Sequence, residues 1–171
     1  MSEHFTWEEL VKTDQADLQK ENSEEAEKYR GALESLATLL ERIREETGPL
    51  SIRAFRCGKV NASVSGSSSI SQHLKGEAAD IRIPGQCGQS QVRDLFDTCH
   101  MLLVGKGIPF GQLIFEQKER EDGSWSYWVH VSLGHPWRDV VKCGMVMEME
   151  WPWKEPDPKY KPVKLIEPGG Y

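Results

Sequence analysis

The chain has 171 residues, 38% of them hydrophobic and 28% charged, the size and balance of one globular domain with a buried core. No run of about 18 apolar residues is present, which excludes a spanning helix, and no repeat or low-complexity tract points to a solenoid or to disorder. The net charge of -6 is uneven: residues 1–50 carry 13 acids and 6 bases, residues 51–171 carry 14 and 15, and neither stretch has the basic excess of a nucleic-acid surface.

Thr6 followed by Glu9 has capping-box spacing and predicts a short helix through Leu10 and Val11. The polar stretch 13–21 reads as a loop. Asn22 or Ser23 then caps a long helix whose apolar positions Leu33, Leu36, Leu39, Leu40 and Ile43 share one face, and Gly48-Pro49 ends it. Residues 50–55 read as a short strand, the Ser- and Gly-rich segment 58–71 as a loop, and 78–83 as a strand stopped by Pro84-Gly85. Ser90 caps a second helix with Val92, Leu95, Phe96, Cys99, Leu102 and Leu103 inward, broken by Gly105, Gly107 and Pro109. Strands 112–117 and 125–133 form a hairpin about Glu121-Asp122-Gly123, and 140–148 gives a further strand. Residues 151–171 hold five prolines and read as an extended tail after a domain spanning 1–150. Helices ahead of antiparallel strands predict an α+β fold, a central antiparallel sheet flanked by helices.

Cys57, Cys87, Cys99 and Cys143 make no C-x-x-C pair, so a structural cysteine zinc site is not expected. The opening MSEHFTWEEL lacks the basic and apolar regions of a signal peptide. Cytoplasmic synthesis with free thiols is the expectation, a bridge staying open if the protein acts outside the cell.

The chemistry concentrates in the segment Ser71-Gln-His-Leu-Lys-Gly-Glu-Ala-Ala-Asp80 and in Trp128-Val-His-Val-Ser132. Two histidines and one carboxylate, His73, Asp80 and His130, are the kind of donors a catalytic zinc needs, since it takes three protein ligands and keeps one position open. Gly76 and the alanines let the chain turn tightly enough to bring loop and strand to one ion. On spacing alone a plainer reading stays open: a surface or core histidine, and an aspartate ending a turn.

The pattern S-x-H-x-x-G-x-A-x-D is complete at Ser71, His73, Gly76, Ala78 and Asp80, and here the chain resembles the zinc D-alanyl-D-alanine peptidases. That family includes the D-Ala-D-Ala dipeptidase of vancomycin resistance and several phage endolysins, and shares its fold with the hedgehog signalling domain. The resemblance extends through His4-Phe-Thr-Trp-Glu-Glu-Leu10, Ala54-Phe-Arg56-Cys57, Asn61, Gly66 and Phe110-Gly-Gln-Leu-Ile-Phe-Glu116 to Trp128-Val-His-Val-Ser132. It implies a hedgehog/DD-peptidase-like fold and a Zn2+ held by His73, Asp80 and His130. It further implies that Arg56 stabilises the oxyanion and that Ser71 hydrogen-bonds substrate. Read from the residues, the competing role for Arg56 is pairing with a surface acid, with the matching block favouring the oxyanion role, and that for Ser71 is orienting the backbone of His73.

Two departures from the family pattern matter, a missing base and a changed pair beside Arg56. Many relatives carry a glutamate three residues before the last zinc histidine, and some other zinc peptidases of this fold a histidine two before it. Here these positions are Tyr127 and Trp128. The expected substitute for the missing base is Glu116, placed across the hairpin from Tyr127, with an ordinary cross-strand carboxylate as the competing reading. Arg53-Ala54 stands where relatives have Ser-Gly, and Arg53 either reshapes the pocket or points to solvent. His4, His100 and His135 match no role. The tryptophans at 125, 128, 137, 151 and 153 read as core or as a glycan shelf.

The resulting expectation is a zinc metallopeptidase that cuts D-amino-acid-containing peptide bonds of peptidoglycan, a DD-carboxypeptidase or endopeptidase that acts at the cell wall if it is a phage or released lysis enzyme; the oligomeric state is left open, with a monomer favoured. It has no nucleic-acid partner and no membrane span. The alternative is an inactive, zinc-containing binding or structural module of the same fold, for which the absent glutamate speaks.

Overall fold

The computed structural model describes residues 1–134, 145–152 and 158–163. Thr6 caps helix α1 (Trp7–Leu10), its hydroxyl accepting the Glu9 N–H at 3.2 Å. The next helices begin earlier than the sequence suggests. A 3₁₀ turn at Ala16–Leu18 leads into α2 (Gln19–Ala26), and a second at Glu27–Tyr29 leads into α3 (Arg30–Thr47). Asn22 therefore lies inside α2 and is not a cap. It is fully buried: Nδ2 donates to the carbonyl of Val11 at 2.7 Å, and Oδ1 accepts from Cys57 N–H at 2.6 Å. One side chain ties the N-terminal segment to the stretch around Arg56. Asn22→Ala leaves both backbone groups buried without that partner and is expected to cost about 2–3 kcal/mol, read as a shift in the urea midpoint at unchanged slope.

Strand β1 (Ser51–Arg53) follows. Segment 58–71 is not all loop, because Gly58–Ser63 forms helix α4 with Val60 and Asn61 buried; the Ser- and Gly-rich composition hides those two inward positions. Then come β2 (Ala78–Arg82), α5 (Gln89–Gly105), β3 (Gln112–Glu119), β4 (Trp125–Ser132), β5 (Met145–Trp151) and β6 (Lys159–Pro162). Gly88 precedes α5, its N–H bonded to the Gln91 side chain, so the cap falls two residues before Ser90. Residues 140–144 of the strand expected at 140–148 lie outside the described residues, as do Trp137, Trp153, His135 and Cys143.

The six strands form one sheet in the order β1-β2-β4-β3-β5-β6. With the helices this is the expected α+β fold, and every pairing is antiparallel except β3 with β5, which run parallel. β6 lies in the segment read as a tail and pairs with β5.

Side chains alternate across a sheet, and the two faces differ completely. Ala79, Ile81, Leu113, Phe115, Val129, Val131 and Val146 join Leu33, Leu36, Leu40 and Ile43 of α3 and Val92, Leu95, Phe96 and Leu103 of α5 in one buried cluster. The opposite face carries Asp80, His130, Ile114 and Met147 in one cross-strand row, and Arg82, Trp128, Glu116, Met149 and Tyr160 along the next. The helices thus cover one side, and the polar chemistry is set on the other.

Candidate metal and catalytic site

The segment 71–80 reaches its geometry through a single tight turn. The Ser71 hydroxyl accepts the His73 N–H at 3.3 Å and opens a 3₁₀ turn, Gln72–Lys75. Gly76 closes it with φ 65°, in the left-handed region. A Cβ there would also lie 2.8 Å from Leu33 Cγ on α3, so the position needs glycine twice over. The chain then enters β2, whose register sets Asp80 opposite His130 of β4.

Three donor atoms meet as a result. His73 Nε2 lies 3.2 Å from Asp80 Oδ1 and 3.3 Å from His130 Nδ1, and His130 Nδ1 lies 3.0 Å from Asp80 Oδ1. Zinc–ligand bonds of about 2.0–2.1 Å in a tetrahedron require donors roughly 3.3 Å apart, so the donor set fits a small dication. His73 is almost completely buried and its Nδ1 lies 2.6 Å from the Ala54 carbonyl. A carbonyl can only accept, so Nδ1 donates to it; without a metal, Nε2 of a charged ring donates to Asp80, and a ring that gives up that proton turns its Nε2 lone pair to a metal. Glu21, Glu25 and Cys57 also converge elsewhere, but Lys59 already pairs with Glu21 at 2.7 Å.

The electrostatics follow from burial and mutual charge. Burial pushes the His73 imidazole below its ordinary value, against the pull of Asp80. Burial alone would raise the Asp80 carboxyl, but the charge of His73 and hydrogen bonds from both imidazoles hold it well below the usual carboxylate range. Burial opposes protonation of His130 too, yet its bond to Asp80 and the charge of Glu116 raise it.

Arg56 joins this group, with a guanidinium nitrogen 3.9 Å from Asp80 Oδ2; its buried Nε has no hydrogen-bond partner among the described residues. Glu116 comes to the same face by a register one residue different from the expected one. It stands across from Trp128, and Gln117 takes the place opposite Tyr127. The difference decides its orientation, since a one-residue slip would turn the side chain over. Burial pushes the Glu116 carboxyl up to about 7; His130 opposes the rise and Asp80 adds to it. Tyr127 packs with the helix-side core, its ring 6.2 Å from Phe115.

Sequence reasoning missed the framework behind these groups. Asn22, Ala54 and Leu10 hold the segment carrying Arg56, Leu10 by accepting the Phe55 N–H at 3.0 Å, and Arg56 N–H in turn donates to the His73 carbonyl at 3.3 Å. Asn22 carried a signal of its own, an amide inside an otherwise helical run, which the capping rule absorbed. On the far rim, Trp151 presses on Gly66 so closely that a Cβ there would fall 1.2 Å from its ring. Lys118 lies 4.1 Å over the Trp151 ring and donates to the Ser65 carbonyl at 3.3 Å. Trp125, Trp128 and Trp151 are all partly exposed, and none belongs to the core cluster. His4 pairs with Glu41 at 3.0 Å, and His100 is buried in α5 beside Phe96.

No curated protein matches the chain. The family model described as Peptidase M15 matches residues 3–107, which contain Arg56, Ser71, His73 and Asp80; β4 then sets His130 directly opposite Asp80. A match over more than half of the chain, in register with a three-donor site suited to a metal ion, means that the protein belongs to the peptidase M15 family, a family of metal-dependent peptidases.

Proposed function

We propose that the protein is a zinc peptidase that hydrolyses D-amino-acid-containing peptide bonds of peptidoglycan, as a DD-carboxypeptidase or endopeptidase of the kind phage endolysins employ. The observation that carries this reading is the convergence of His73, Asp80 and His130 at 3.0–3.3 Å with Arg56 beside them. Zinc in that site supplies Lewis-acid polarisation of the scissile carbonyl and an acidified water.

The remaining work falls to the chain. Arg56 offers fixed charge and a planar fork to the oxyanion as the carbonyl becomes tetrahedral. Glu116, half-protonated near neutrality, takes a proton from the attacking water and returns one to the leaving amine. The Ser71 oxygen accepts from His73 N–H, which leaves the hydroxyl proton to donate to a substrate carbonyl.

Dye release from labelled peptidoglycan, with zinc content determined on the same sample, tests the reading. Wild type is expected to bind about one zinc and release dye, and His73→Ala to lose both. A wild type that binds zinc but releases no dye, and leaves soluble D-Ala-D-Ala peptides intact, overturns the hydrolase reading in favour of a binding module.

A further inference from the structure

The face that carries the triad continues into a cluster of arginines. Arg82, the last residue of β2, lies two residues beyond Asp80 and on the same side of the sheet. Its Nε donates to the Tyr127 carbonyl at 2.6 Å, which fixes the plane of the guanidinium and leaves both Nη groups for other partners. The group is half-buried and lies 5.9 Å from the centre of the Trp128 ring. Among the described residues no carboxylate is in ion-pair contact with it. Burial, then the charge of Arg53, and further the charge of Arg120 push Arg82 below its ordinary value, with Asp80 acting the other way. Arg53 is spoken for by Asp14 at 2.5 Å, and the Arg120 Nε donates to the Ser126 hydroxyl at 2.7 Å.

A partly desolvated guanidinium, held in plane beside two others, is an anion receptor. Its distance from the triad sets the scale of the ligand. Same-face neighbours on a strand are about 6.6–6.8 Å apart, and one peptide residue spans at most about 3.3–3.6 Å. We propose that Arg82 anchors a free carboxylate of the substrate, one or two residues from the scissile bond, with Arg120 adding to the attracting field. This rests on the hydrolase reading above and deepens it. Two sources share the chemistry: the terminal carboxylate of a D-Ala-D-Ala end, and the α-carboxylate of an internal γ-linked D-glutamyl residue.

The test uses zinc-loaded wild type, Arg82→Gln and Arg82→Lys on two matched pairs of peptides. One pair ends in D-Ala-D-Ala as free acid or carboxamide. The other contains L-Ala-γ-D-Glu-L-Lys with the α-carboxyl free or amidated. Wild type is expected to prefer the acid of one pair by about 10–100-fold in kcat/KM, mainly through KM, and the pair affected identifies the source. In Arg82→Gln that ratio collapses to within about three-fold, and Arg82→Lys restores part of it. Because each ratio is taken within one protein sample, partial unfolding or metal loss does not move it.

An acid-to-amide ratio that survives in Arg82→Gln overturns the proposal, as does a wild type that cleaves acid and amide equally. Failure to cleave all four peptides by a protein that releases dye from peptidoglycan overturns the carboxylate anchor alone. Failure on both peptides and peptidoglycan overturns the hydrolase reading, and the anchor with it.

Discussion

Replacing Asp80 by asparagine is expected to abolish both metal retention and hydrolysis. Asp80 supplies the one anionic donor of the set and touches both imidazoles, at 3.2 and 3.0 Å. Asparagine keeps the shape and removes the charge. Loss of an outer partner to a ligand commonly costs 10–100-fold in metal affinity, so loss of a charged ligand is expected to cost more than about 100-fold. Metal content after dialysis against a weak chelator measures it directly. A variant that keeps one equivalent of zinc shows that the triad is not the metal centre.

The metal-free protein adds an independent signature of the same substitution. The Asp80 carboxyl is depressed, so its stabilisation is present above the unfolded value of about 3.9 and lost as pH falls through the folded one. His130 is raised, so its share is complete below about 6.5 and fades as pH climbs through its folded value. His73, depressed by burial, acts in the opposite sense. The Asp80–His130 pair therefore contributes most between about pH 4 and 6.5, and Asp80→Asn is expected to flatten urea stability across that window.

Glu116→Gln is expected to separate activity from stability. The base role proposed for Glu116 predicts a loss of about 10²–10⁴ in kcat; His73, Asp80 and His130 are untouched, so zinc content is expected to be unchanged. The folded carboxyl lies at about 7 against an ordinary 4.5. Between these values the native state binds the proton that the unfolded chain has released, so stability falls as pH rises through the window and stays low above it. Glutamine removes that penalty. In the metal-free protein the variant is expected to be as much as about 3 kcal/mol more stable than wild type at pH 8.5, with the difference shrinking toward pH 5. Unfolding curves that run parallel at both pH values exclude the buried, uptitrated carboxyl. Zinc-loaded Glu116→Gln with wild-type kcat excludes its role as base.

Much of the fold was legible where one pattern acted alone. The 3.6-residue spacing of Leu33, Leu36, Leu40 and Ile43 gave α3, and Gly123 between two apolar runs gave the β3–β4 hairpin. The donor triad was legible because its spacing is local on one side, His73 to Asp80. The partnership of Asp80 with His130 depends on strand register, which the resemblance supplied and periodicity alone does not. The same limit explains Glu116: its loop is one residue different from the simplest hairpin, and that decides which residue faces it. Asn22 was misread because asparagine favours both helix caps and buried backbone clamps, and only tertiary contact with Cys57 distinguishes them. The parallel pairing of β3 with β5 depends on the connection between β4 and β5, which local propensity does not encode.

Among the described residues β1 and β6 border the sheet, and they decide how it behaves toward other molecules of its kind. β1 is three residues long, and β6 is Lys159-Tyr160-Lys161-Pro162, exposed throughout. A short border offers few unpaired amides. A border bearing two ammonium groups and a proline, which lacks an N–H, repels an incoming copy and interrupts its ladder. Aggregation by edge-to-edge growth is thereby disfavoured at both ends, and Lys161→Val with Pro162→Val is the change that would open the C-terminal border to it.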